Sequence, residues 1–85
     1  MASRRFLKKN LNNMVYDVVD ECYFIQTLDA SKTEKADEII DQAADFQDLM
    51  LEKINAAKTK TDFRPLLDEI ENVAIDFIKK LNELN

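Results

Sequence analysis

Apolar residues recur along this chain at steps of three and four, the spacing of one face of an α-helix. In a first segment, from about residue 3 to residue 28, Leu7, Leu11, Met14, Val18, Cys22 and Ile25 form such a stripe, with Val15 beside them. The stretch "LDASKTE" breaks it, and Ser31 and Glu34 stand at the Ser-x-x-Glu spacing of a capping box. A second helix is therefore expected from about 32 to 57. It carries Ala36, Ile40, Ala43, Gln47, Met50, Ile54 and Ala57 at strict 4-3-4-3-4-3 spacing, flanked by Ile39, Phe46 and Leu51. "AKTKTD" ends that pattern, with Thr61 or Asp62 as the next expected cap. Pro65 then falls in the expected first turn of a third helix, where its missing N–H needs no partner. That helix, about 62 to 84, repeats the step with Phe63, Leu67, Ile70, Ala74, Phe77, Leu81 and Leu84.

Each of these helices would be ~30–40 Å long at about 1.5 Å per residue. Short loops between long amphipathic helices predict an all-α fold, an up-down-up antiparallel three-helix bundle. The 85 residues are expected to form one domain, 1–85, around one core.

Composition narrows the chemistry. Hydrophobic residues make up 46% and charged residues 34%, a globular balance. There is no glycine, which argues against phosphate-binding loops and dinucleotide turns that need φ > 0. The absence of histidine removes the commonest general base and metal ligand. The single cysteine, Cys22, sits on the core stripe and is expected to be a small buried hydrophobe. The basic start is followed by no apolar signal-peptide core, and no apolar run reaches the ~20 residues of a membrane span. The expected location is cytoplasmic, with no membrane partner.

Charge is distributed unevenly. In the second and third helices acids come early and bases late, as the helix dipole favours. The first helix runs against it, with Arg4, Arg5, Lys8 and Lys9 at its start and Asp17, Asp20, Glu21 and Asp29 later. In the expected bundle, helices one and three are parallel. The four bases would then lie near Asp62, Asp68, Glu69 and Glu71, and Asp20, Glu21 and Asp29 near Lys79 and Lys80. The same geometry collects Arg4, Arg5, Lys8, Lys9, Lys53, Lys58, Lys60 and Arg64 at one end, a basic pole that could meet phosphate or an acidic protein. The net charge of −5 and the absence of a glycine-containing helix-turn-helix make nucleic acid the second reading of that pole.

Glu34, Glu38, Asp41, Asp45, Asp48 and Glu52 follow one another at 4-3-4-3-4 spacing. At 100° per residue they point about 160° away from the apolar seam, so they are read as a solvated face or a docking strip for a basic partner. Neither a glycine-bearing calcium loop nor a Glu-x-x-His pair accompanies them. Gln47 interrupts the seam and is expected to fix helix register. No catalytic residue, cofactor, metal or small-molecule substrate is indicated, and a non-enzymatic protein is expected.

The most informative departure from a simple bundle is on helix one. Tyr16, Val19 and Tyr23, at i, i+3 and i+7, lie beyond its core arc, and Arg5 projects on the same side. Phe6 and Phe24 occupy the opposite flank, and Ile75 lies outside the main stripe of helix three. Tyrosine and arginine are enriched in interface cores. The expected function is a protein-interaction or assembly module using Tyr16, Val19, Tyr23 and Arg5, with a homodimer as its simplest form. A nucleic-acid-associated accessory protein using the basic pole is the alternative.

The opening "RRFLKKNLNNMVYDVVDEC" resembles the start of a family of small, uncharacterised helical proteins of Bacteroidetes. Arg4, Arg5, Phe6, Leu7, Lys8, Lys9 and Asn12 carry the basic-aromatic-Leu-Lys-Lys stretch, and Glu21 and Cys22 the acidic-Cys pair about a dozen residues later. The likeness covers roughly the first quarter of the chain. It implies a cytoplasmic bacterial helical protein and brings no activity, cofactor or functional residue.

Overall fold

The chain's first helix begins where a side chain can satisfy its free N–H groups. In the computed structural model, which describes residues 3–84, extended Ser3 accepts a hydrogen bond on Oγ from the Phe6 N–H at 3.1 Å. Helix α1 then runs Arg4–Leu28. It stops at Asp29, whose backbone is extended and whose carboxylate accepts from both the N–H (3.0 Å) and the hydroxyl (2.6 Å) of Ser31. Those bonds close a turn that leads into a short 3-10 helix, Ala30–Lys32, and hold the Asp29 carboxyl below its usual range.

This corrects the expected capping box. Ser31 does not cap α2, because its bonds to the Asp29 carboxylate draw it into the 3-10 helix, away from the extended backbone of a cap residue. Helix α2 runs Thr33–Ala56, with Lys32 at its cap position and no side-chain cap bond.

Helix α3 runs Lys60–Leu84 and starts ahead of the expected cap. Thr59 stands at the cap position. Asp62 reaches back, its Oδ2 accepting from the N–H groups of Lys58 and Thr59, each at 3.1 Å. The earlier start places Pro65 in the second turn, inside the helix, rather than in the first. Pro65 has no N–H to offer the Thr61 carbonyl, but both residues are exposed, so water can replace that bond.

Packing centres on α1. It contributes six buried residues, Leu7, Leu11, Val15, Val18, Cys22 and Ile25, whereas α3 contributes only Ile70, Phe77 and Leu81. Contact is most extensive between α1 and α2, less between α1 and α3, and slimmest between α2 and α3. The small, fully buried Ala36 and Ala43 let α2 approach α1 closely. Met14 and Ile40, both expected on the buried seams, are half-buried; their neighbours Val15 and Ile39 take the inner positions. The long helices packed along their lengths give a rod of 45 × 18 × 14 Å.

Polar ties record which ends meet. Arg4 donates from Nε (3.2 Å) and Nη2 to the Ala57 carbonyl, so the start of α1 lies at the end of α2. At the other end Gln26 donates to Asp37 Oδ1 at 2.7 Å. Midway, Gln47 Nε2 donates to Asn12 Oδ1 at 2.8 Å, giving the polar seam residue a partner across α1 and α2. Lys53 pairs with Glu69 at 3.2 Å, and Lys80 donates to Gln42 at 2.7 Å, joining α2 to α3.

Candidate interaction surfaces

The tyrosine flank is open. Tyr16 is 63% exposed and Tyr23 55%, while Val19 between them is half-buried and packs against the core. Helix geometry requires this: residues three and seven apart share a stripe, and this stripe faces neither partner helix fully. Arg5, also exposed, continues it toward the start of α1. A depression lined by Arg4, Arg5, Lys8, Lys9, Asn12, Asn13 and Tyr16 makes the flank and the basic start one continuous surface.

The expected ion pairs between α1 and α3 do not form. Among the described residues the ion pairs are Lys53–Glu69 and Arg64–Asp68, and neither involves α1. The angular reason is simple. Arg5 and Lys9 share the tyrosine side of α1, whereas Met14 and Val18 on another side meet Ala74 and Ile78 of α3. The uncompensated charge at the start of α1 is therefore left facing solvent.

The eight basic pole residues divide into two groups. Arg4 is engaged with the Ala57 carbonyl, Lys53 with Glu69 and Arg64 with Asp68. Arg5, Lys8, Lys9, Lys58 and Lys60 make no side-chain hydrogen bond or ion pair among the described residues, which leaves five cations around that end.

All six carboxylates of the α2 stripe, Glu34 to Glu52, are exposed. Among the described residues no group of three or more acids or cysteines is placed to hold a metal ion. Cys22 is fully buried, as its spacing predicts. Burial, followed by the charges of Glu21 and Asp37, pushes its thiol above the ordinary value, the opposite of an activated nucleophile. No helix among the described residues is long and apolar enough to cross a membrane.

One apolar surface was not read as such from the sequence. Phe24, Leu28, Ile75 and Ile78 are all large and exposed. Of these four, Ile78 lines a groove between α1 and α3 that runs from Asn10 and Met14 to Leu81 and Asn82. The signal was present: Ile75 and Ile78 are three apart on α3, and Phe24 and Leu28 are four apart on α1. It was hidden because the heptad stripes beside it are stronger. No protein family, curated protein or solved structure matches this chain.

Proposed function

We propose that this chain is a non-enzymatic protein-interaction or assembly module, a single up-down-up antiparallel three-helix bundle that self-associates through Tyr16, Val19, Tyr23 and Arg5. The observation that carries the proposal is the exposure of both tyrosines on either side of a core-anchored valine. Rigid aromatic side chains on a well-supported helix lose little entropy on burial, and their apolar area contributes about 25 cal/mol per Å² removed from water. Charge sets the orientation of the pair. Two copies lying parallel would stack their basic starts, whereas an antiparallel pair would bring Arg5, Lys8 and Lys9 toward the acid-rich far end of the partner. The resemblance of the opening stretch to the Bacteroidetes family fits a cytoplasmic setting for such a module.

Sedimentation of the protein and of Tyr16→Glu/Tyr23→Glu tests the proposal. A concentration-dependent dimer that the double substitution converts to monomer supports it. A wild-type monomer at high micromolar concentration, behaving like the variant, refutes it.

The depression around Arg5, Lys8 and Lys9 favours a second reading, in which this end contacts nucleic acid. Binding would then weaken steeply with salt and be lost on reversing Arg5, Lys8 and Lys9. Salt-insensitive binding, or binding that survives the reversal, would exclude it.

A further inference from the structure

The groove between α1 and α3 is a different surface from the tyrosine flank. On α1 it is lined by Asp17 and Glu21, and Phe24 and Leu28 continue that stripe toward the end of the helix at 4-3-4 spacing. That stripe lies roughly 120° around the helix from Tyr16 and Tyr23, at 100° per residue. On α3, Ile78 lines the groove, with Ile75 one turn before it. Of the eight large hydrophobic residues exposed among the described ones, Phe24, Leu28, Ile75 and Ile78 lie on this side and only two on the tyrosine flank. The floor is apolar and already packed: Val18 and Leu81 are buried, and Met14 and Ala74 are half-buried.

The charges that line the groove have one sign, and Lys79, one turn after Ile75 on α3, stands outside its lining. Asp17 and Glu21 line the groove, no lysine or arginine does, and neither carboxylate has an ion-pair partner among the described residues. Glu71 stands one turn before Ala74 and Ile75 on α3. Two copies meeting face to face here would set Asp17, Glu21 and Glu71 against themselves, so the face is not self-complementary. It asks for cations at its edges and apolar atoms at its centre.

Its shape asks for a helix. The lining residues of α1 and α3 advance together, from Met14 with Ala74 to Glu21 with Leu81, at steps of about one helical turn. From Asn10 to Glu21 the groove spans about 17 Å, which is about three turns. Two side-by-side helices with ridges at that step accept a third helix whose anchors recur at i, i+3 or i+4, and i+7. We infer that the α1–α3 groove docks an amphipathic helix of a partner protein, apolar along one stripe and flanked by lysine or arginine. The groove stands apart from the tyrosine flank, so docking here does not depend on self-association.

The probe is a synthetic helical peptide of about four turns, long enough to span the groove, with leucines at i, i+3/i+4 and i+7 and lysines beside them. A second peptide has glutamate in place of each lysine. Fluorescence anisotropy is read with the wild-type protein, Ile78→Glu, Asp17→Lys/Glu21→Lys, and the α2-stripe control Asp41→Lys/Asp45→Lys. Binding of the lysine peptide alone is expected, weakened about tenfold or more by either groove variant and unchanged by the control. Ile78, Asp17 and Glu21 are exposed, so these variants are expected to keep the fold, which circular dichroism checks. No binding of the lysine peptide overturns the proposal. So does equal binding of both peptides, or a loss in the α2 control rather than in the groove variants.

Discussion

Replacing Arg4 and Arg5 one at a time separates two roles that adjacent, identical side chains play. Arg4 donates from Nε and Nη2 to the carbonyl of buried Ala57, just past the end of α2. Hydrogen bonds from a charged donor contribute about 1.5–3 kcal/mol. Arg4 itself is exposed, so water recovers part of that when the guanidinium is removed. Removing a positive charge from the first turn of α1 also returns about 0.3–1 kcal/mol through the helix dipole. The net cost of Arg4→Ala is therefore about 1 kcal/mol, or roughly 4–8 °C in Tm for a chain of this size. Arg5→Ala loses no structural contact and keeps the dipole gain, so it should be neutral or stabilise by a few tenths of a kcal/mol. Thermal and urea unfolding followed by circular dichroism measure both, with an unchanged m-value confirming that the native state is compared fairly. Equal effects of the two substitutions, or a larger loss from Arg5→Ala, would refute the division of the basic stretch into a tie and a free surface.

Three further outcomes follow from the packing and the caps. Leu11→Ala removes a fully buried side chain where α1 packs and should cost about 2–5 kcal/mol, whereas Leu28→Ala, 69% exposed, should stay within about 0.5 kcal/mol; urea titration distinguishes them. Hydrogen bonds from the Lys58 and Thr59 N–H groups hold the Asp62 carboxyl below its ordinary value. A depressed folded value means that its contribution is complete above the unfolded carboxylate pKa near about 3.9 and is lost as pH falls through the folded value. Asp62→Asn should therefore lower stability at neutral pH and flatten the acid limb of the stability profile. A double-mutant cycle on Asn12 and Gln47 should give a coupling of about 0.5–1.5 kcal/mol from their 2.8 Å bond.

The helices were legible because 3.6-residue periodicity dominates every segment, and the elements lie within a few residues of where that periodicity ends. What failed was competition among neighbours. Ser31 carries a cap signature, but Asp29, two residues earlier and charged, draws it into a 3-10 turn, so it does not reach a cap position. Pro65 is compatible with a first turn, yet Asp62 closes the turn around Thr59 and starts the helix sooner. Charge complementarity between α1 and α3 fits their order in the chain but not the angle at which each base leaves its helix. The exposure of Tyr16 and Tyr23 was readable from angle alone. The α1–α3 groove was not, because it requires knowing how closely α3 packs on α1 and that Ile75 and Ile78 remain uncovered.

The most direct test of the central claim is a dilution series of amide NMR spectra on the 15N-labelled protein. If the chain pairs through the tyrosine flank, the resonances that move with concentration should cluster at Arg5, Tyr16, Val19 and Tyr23, with Ile75 and Ile78 unmoved. Spectra that do not change with concentration, or changes confined to Phe24, Ile75 and Ile78, would contradict it.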